Sequence, residues 1–125
     1  MTLYPSLDDV VASHARLLAL FGGAPGIRDR AALEAALARP QSGYYRDVIE
    51  QAAALLESLS QNHPFIDGNK RTAIAVTAAF LRVNSFRLEF DDLEAYPFLT
   101  YLYETNQFRF ERLEPWLRQH AQPLP

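Results

Sequence analysis

Apolar residues recur every three or four positions along most of the chain, which is the spacing of amphipathic helices. The first such stretch follows Ser6, a good helix N-cap with Asp9 three residues later, and it ends at Gly22. Residues 85–90 are predicted to form either a short strand or an extended connector. No hairpin pattern is evident, so the chain is predicted to be an all-α domain. Further helices are predicted over residues 29–39, 47–61, 68–83, 91–103 and 111–120.

The helix predicted over residues 68–83 differs from the others because residues 73–81 carry no polar stripe. A helix that is apolar all round is normally buried. Residues 67–71, DGNKR, precede it and form the most polar cluster of the chain. The first turn of a helix presents unpaired N–H groups and the positive end of the helix dipole. The sequence therefore predicts an anion site at this N-terminus, with phosphate as the usual occupant.

Two side chains of this region suit proton and metal chemistry. His63 can be neutral near pH 7 and can take a proton from an attacking hydroxyl group. Asp67 offers a carboxylate to Mg²⁺, which binds proteins through one or two carboxylates together with substrate phosphates. A histidine near a helix end is also common as a structural residue, and the residues alone leave that alternative open.

The next four residues suit the binding of a charged phosphate. Gly68 lets the backbone approach a ligand closely, and Asn69 can either fix the loop or touch a phosphate. Lys70 and Arg71 can neutralise charge that develops on a transferred group. The structural alternative is that Asp-Gly-Asn is an ordinary turn and that the two cations are simply solvated.

The composition is that of a globular domain with a core of its own. Hydrophobic residues make up 49% of the 125 positions and charged residues 22%. We expect one domain over residues 1–125, with its core at about 6–120 and a flexible tail at 121–125. There is no cysteine, which excludes disulfides, thiol catalysis and cysteine-ligated zinc.

Charge and hydropathy disfavour two further classes of protein. A net charge of −3 argues against a nucleic-acid binder that depends on a strong positive field, so direct nucleic-acid binding is only a distant alternative. The uncharged run over residues 72–81 is about half as long as a membrane span, and no signal peptide is apparent. We therefore expect a cytoplasmic protein with no membrane contact.

The run over residues 63–73, HPFIDGNKRTA, resembles the signature of the Fic-domain superfamily and specifically of its death-on-curing (Doc) toxin branch. The general Fic pattern is H-P-F-x-[DE]-G-N-G-R-x-x-R. The chain departs from it at two positions, where Lys70 replaces a glycine and Ile74 replaces the last arginine. The NKRTA run and residues 26–41 also resemble the Doc branch, and the similarity covers most of residues 6–90.

This resemblance implies a compact, all-α Fic-like bundle in which a buried central helix follows the HPFIDGNKR loop. It also implies roles for the residues of that loop. His63 would be the general base for a target hydroxyl, and Asp67 would hold Mg²⁺. The phosphates of ATP would lie at the helix N-terminus, against Gly68, Asn69, Lys70 and Arg71.

The two departures bear on the reaction that the resemblance implies. Most Fic proteins transfer AMP to a protein hydroxyl, but Lys70 fills the space of the glycine and Ile74 removes a contact to the γ-phosphate. ATP bound in the reverse sense would bring its γ-phosphate to His63 instead. Resemblance to the Doc branch thus implies a protein kinase that modifies a hydroxyl on elongation factor Tu and stops translation. A Fic-type AMP transferase is the first alternative, and a catalytically inactive binding module is the second.

The resemblance also implies a target-binding segment and a partner. The family places a flap that aligns the target chain where Gly43, Tyr44 and Tyr45 lie, although two tyrosines in a loop can also simply pack on the core. Residues 85–90 and 100–105 lack the last position of the family's inhibitory motif, so self-inhibition is not expected. Control would then come from an antitoxin of the prevent-host-death type, whose disordered segment folds on the toxin.

Four other side chains are expected to be structural. His14 lies on the apolar face of the first predicted helix, which favours a packed histidine. Phe98, Tyr101 and Trp116 are expected in the core, because helical spacing accounts for them.

Overall fold

The computed structural model of the protein describes all 125 residues. It contains six α-helices, one short 3₁₀ helix and two three-residue strands, which confirms the all-α prediction. In chain order the elements are α1 (Leu7–Phe21), α2 (Arg30–Ala38), the 3₁₀ helix (Arg39–Gln41), α3 (Val48–Gln61), α4 (Asn69–Val83), β1 (Phe86–Leu88), α5 (Asp92–Glu104), α6 (Phe110–His120) and β2 (Ala121–Pro123).

Four of the helices begin at a side chain that caps their first turn. Ser6 and Asp9 form the predicted capping box at the start of α1. Asp29, Asp47 and Asp91 each accept a hydrogen bond from a backbone N–H in the first turn of α2, α3 and α5. Such caps satisfy N–H groups that have no partner within the helix. The start of α4 has no side-chain cap, which bears on the functional site below.

The core lies around α3 and α4. Helix α4 packs against α3 and α1, and α3 also packs against α2 and α6. Val76, Phe80 and Leu81 of α4 are buried, whereas Ile74, Ala75 and Ala78 keep part of their surface exposed. Helix α4 is therefore central, as predicted, but its apolar surface is only partly covered. The uncovered side lines a groove.

The last residues of the chain form a strand rather than the flexible tail that we expected at 121–125. Residues 121–123 pair with residues 86–88 as the antiparallel strands β2 and β1. Ala121 is buried, and the Leu124 N–H donates to the carbonyl of Ser85. The pairing also decides between the two alternatives for residues 85–90 in favour of a short strand. Backbone hydrogen bonds and one buried alanine hold the segment, and neither leaves a periodic signal in the sequence.

Helix α5 buries only one narrow face. Ala95, Leu99 and Leu102 are buried, at a spacing of three and four residues. The prediction of a core position was wrong for Phe98, which is 38% exposed, and for Tyr101, which is 57% exposed. It was confirmed for Trp116 of α6, which is buried. None of the six helices combines the length and the hydropathy that a membrane-spanning helix needs.

Candidate functional site

The candidate site is built on the motif loop, residues 62–68, which joins α3 to α4. Pro64 and Phe65 are buried and anchor the loop, as the sequence predicted. His63 lies between that anchor and α3, with a left-handed backbone at φ = 48°. Its imidazole is exposed and makes no hydrogen bond or ion pair within the protein. The ring is therefore free to contact a substrate.

Asn69 holds the motif loop closed from the first turn of α4. Its side chain is buried and forms two hydrogen bonds with one residue: Phe65 N–H donates to Oδ1 at 2.9 Å, and Nδ2 donates to the Phe65 carbonyl at 2.9 Å. Both polar groups of the amide are thus used inside the protein. Of the two roles that the sequence left open for Asn69, the structure supports fixing the loop.

Three hydrogen bonds orient Asp67, two from α1 and its following loop and one from Gly68 of the motif loop. Ala24 N–H donates to Asp67 Oδ2 at 3.2 Å, and Gly68 N–H donates to Oδ1 at 2.8 Å. The ring of His14 donates through Nε2 to the Asp67 carbonyl at 2.8 Å and stacks on Phe65 with its centroid 3.8 Å away. The prediction of a packed His14 is confirmed, since the residue is 4% exposed. Its bond to Asp67 was not predicted, because the sequence does not show which loop faces α1.

The carboxylate of Asp67 suits a cation that is shared with a substrate. It is exposed, and each of its oxygens accepts one hydrogen bond and so retains a lone pair. No group of three or more acidic or histidine side chains gathers around it. One carboxylate fits Mg²⁺, which usually keeps several water ligands and takes the rest from phosphates.

Helix α4 begins with free backbone donors. Its N-cap is Gly68, with φ = 77° and no capping side chain. The N–H of Thr72 donates to the Gly68 carbonyl. The N–H groups of the three residues before it, 69–71, have no acceptor within the protein. Asp or Glu side chains supply acceptors at most other helix starts of this chain. This uncapped N-terminus supplies the donors that the predicted anion site needs, and the binding of an anion there stays a prediction.

Lys70 and Arg71 add two cations at this turn, and neither forms an ion pair. Lys70 Nζ lies 5.2 Å from the centre of the Tyr103 ring, and the Arg71 guanidinium lies 4.5 Å from that of Phe21. Aromatic faces orient a cation without neutralising it. Because cations at a helix N-terminus oppose the dipole, this pair costs stability unless an anion binds there.

A groove of about 440 Å³ continues from the two cations along the uncovered side of α4. Its other walls are the end of α1 and the exposed side of α5. The apolar surface of α4 thus has an explanation besides burial. The lining residues are Leu17, Phe21, Lys70, Arg71, Ile74, Ala75, Ala78, Phe90, Tyr96, Leu99 and Thr100.

In the predicted flap, one tyrosine packs against the protein and the other is exposed to solvent. Tyr45 accepts a hydrogen bond from Arg39 Nε at 2.7 Å and packs against Phe110. Tyr44 is 84% exposed and touches Tyr45 edge-on. Packing on the core therefore accounts for Tyr45 but not for Tyr44. Neither tyrosine nor Gly43 lines the groove, and the flap's contact with a target stays a prediction.

The site also uses residues that the sequence did not single out. Gly23 approaches Asp67 so closely that a Cβ atom there would lie 3.0 Å from Oδ2 and 2.8 Å from Leu18 Cδ2. Arg28 donates to backbone carbonyls of the motif loop. Asp67 and the carbonyls that Arg28 contacts lie more than 30 positions away, and no local pattern identifies Gly23 or Arg28.

Gly23→Ala is expected to lower the free energy of unfolding by about 1–3 kcal/mol and to displace the Asp67 carboxylate. Gly22→Ala is a matched control, because Gly22 also has a positive φ but has nothing within 4 Å of an added Cβ. Urea denaturation of both variants measures the difference. Equal losses in the two variants would contradict a specific contact between Gly23 and Asp67.

Comparison with known proteins gives consistent findings. The sequence model of the Fic/DOC family matches residues 4–81. A protein named Toxin Doc from Mycolicibacterium smegmatis is 42% identical over 96 residues, which are 73% of this chain and 72% of that protein. A protein named Protein kinase doc from Escherichia phage P1 is 33% identical over 93 residues, which are 71% of this chain and 73% of that protein. The family match contains the whole motif loop and most of α4.

Proposed function

Because the chain belongs to the Fic/DOC family, we propose that it is a toxin that transfers the γ-phosphoryl group of ATP to a hydroxyl of a target protein. The observation that carries the proposal is the uncapped start of α4 with two unpaired cations, Lys70 and Arg71. The exposed imidazole of His63 and the exposed carboxylate of Asp67 both precede it in the sequence. Free donors, free cations, a base and a metal ligand are the parts that phosphoryl transfer needs.

In this proposal each side chain has one task. His63 takes the proton from the target hydroxyl as its oxygen attacks the γ-phosphorus. The bond between that phosphorus and the bridging oxygen breaks, and ADP leaves with the electron pair. Lys70, Arg71 and the free N–H groups of α4 hold the phosphates and offset the charge on the transferred group. Asp67 would hold Mg²⁺, which would supply further neutralisation of phosphate charge.

The groove favours transfer from the γ-position over transfer of AMP. Ile74 lies in its wall where the general family pattern has an arginine, so that a phosphate chain entering the groove would meet an apolar surface. Lys70 extends from the position where the pattern has a glycine and keeps an unpaired charge. A nucleotide with its phosphates at the N-terminus of α4 and its apolar base along the groove matches this distribution of charge. The proposal requires that the γ-phosphate of a nucleotide bound in this orientation reaches His63.

The proposal is tested with α-labelled and γ-labelled ATP in parallel, with Mg²⁺, a bacterial lysate and a His63→Asn control. We expect label on a protein from the γ-position only, and none with the variant. Label from the α-position would mean AMP transfer. It would contradict the interpretation that Lys70 and Ile74 favour transfer of the γ-phosphoryl group. No label from either position, also with purified elongation factor Tu, would leave an inactive binding module as the best account.

We propose elongation factor Tu as the target and an antitoxin of the prevent-host-death type as the partner. The two relatives named above as Doc support the toxin assignment. Phe21 and Tyr96, on opposite walls of the groove, are 62% and 53% exposed. Exposed apolar walls of this kind also suit an amphipathic segment that folds on binding and that would take the place of the nucleotide base in the groove. Strong, harmless expression of the active chain without a partner would contradict this assignment.

A further inference from the structure

We propose that Arg28 is a positioning residue that holds the backbone of His63 in the conformation required of a base. The inference rests on the proposed function of His63. The Arg28 guanidinium donates from Nε to the His63 carbonyl at 2.6 Å and from a terminal nitrogen to the Asn62 carbonyl at 3.0 Å. One planar group thus binds the two residues that link α3 to the buried Pro64.

The backbone of His63 needs such support because its conformation is unfavourable. Its φ of 48° lies in the left-handed region, which residues other than glycine adopt uncommonly. In the Schellman motif, a common helix end, the residue after the left-handed one donates its N–H back to the last turn of the helix. Here that residue is Pro64, which has no N–H. Arg28 supplies donors at this helix end from another part of the chain.

Arg28 is itself held in place by the same loop. The N–H groups of Arg28 and Asp29 both donate to the Pro64 carbonyl, at 2.8 and 3.0 Å. On the other side, Ile66 N–H donates to the Gly26 carbonyl at 3.1 Å. These bonds fix the backbone of Arg28 beside the carbonyls that its side chain contacts. Little additional conformational entropy is therefore lost when the guanidinium forms its hydrogen bonds. The backbone bonds also define the competing explanation, in which backbone contacts alone hold the loop and the side chain is dispensable.

Arg28 forms no ion pair, and in this it differs from Arg30. Arg30 pairs with Glu34 across one helical turn, with both side chains at least 60% exposed. Arg28 has no carboxylate partner, and its donors go to backbone oxygens only. Arg30→Met is therefore a matched control for Arg28→Met, since both remove one arginine from the same short segment.

The experiment combines NMR of the histidine rings with kinetics. The chain has three histidines, so selective isotope labelling gives one set of ring signals each for His14, His63 and His120. In Arg28→Met we expect the His63 signals to shift or broaden while those of His14 and His120 stay in place. We expect kcat for transfer to fall about 10-fold, with the nucleotide Kd unchanged. Arg28→Lys keeps one donor group and should lie between wild type and Arg28→Met, and Arg30→Met should match wild type.

Other outcomes would overturn the inference. Unchanged His63 signals and kcat in Arg28→Met would mean that backbone contacts suffice. A shift of all three histidines, or equal losses in kcat and nucleotide affinity, would mean a general structural role. A wild-type chain that transfers no label would refute the proposed function. In that case the His63 signals alone would decide whether Arg28 holds this residue.

Discussion

His63→Asn is expected to lower the rate of transfer by about 10²- to 10⁴-fold, the usual contribution of a general base, and to leave stability nearly unchanged. The imidazole is exposed and makes no hydrogen bond within the protein, so folding does not depend on it. Asparagine also tolerates the left-handed backbone at this position better than most residues. Label transfer and thermal unfolding of the purified variant measure the two effects.

His63→Ala provides the control for the backbone. It removes the base as His63→Asn does, but alanine is less suited to a positive φ. We expect the same loss of transfer in both variants and a lower free energy of unfolding, by about 1 kcal/mol, in the alanine variant only. Substantial activity in either variant, once contamination by wild type is excluded, would rule out His63 as the base.

Asn69→Ala is expected to lower the free energy of unfolding by about 2–4 kcal/mol, because the buried N–H and carbonyl of Phe65 would both lose their partner. Transfer should fall as well, since Phe65 lies between His63 and Asp67. Urea denaturation and label transfer under conditions that keep the variant folded measure the two effects.

Asn84 offers a matched control at the other end of α4. Its side chain brackets Leu3 in the same way, accepting from the Leu3 N–H at 2.8 Å and donating to the Leu3 carbonyl at 2.8 Å, but these bonds are exposed to solvent. We expect Asn84→Ala to cost less stability than Asn69→Ala and to leave transfer unchanged. Equal effects of the two substitutions on transfer would mean that Asn69 acts on the helix as a whole.

Sequence reasoning predicted the parts of this protein that depend on neighbouring residues. The capping box at Ser6, the extent of α4 and the polar cluster before it all follow from local spacing. The prediction was wrong for Phe98 and Tyr101 because periodicity reports that a helix has an apolar face, but not how much of it another element covers. The strand at the end of the chain was missed for a related reason, as its pairing depends on a distant segment.

In the candidate site, too, the sequence identified residues of a local motif and missed residues that act on distant parts of the chain. The residues of the motif loop were found because their order along the chain is distinctive. Gly23 and Arg28 were not found, since each acts on a partner more than 30 positions away. For His14 the sequence predicted burial but not the bond to Asp67. Candidate residues for the chemistry were thus easier to identify than the residues that hold them in place.

The bonds at the far end of α4 have a practical consequence for handling the protein. Leu3 is hydrogen-bonded to Asn84, and Leu124 is hydrogen-bonded to Ser85. Both ends of the described chain therefore lie beside the last turn of this helix. A helix of 15 residues is about 22 Å long, and the motif loop lies at its opposite end. An affinity tag or fluorescent fusion at either end would therefore lie well away from His63. A short linker between residues 3 and 124 would also suit circular permutation, with new ends placed in an exposed turn.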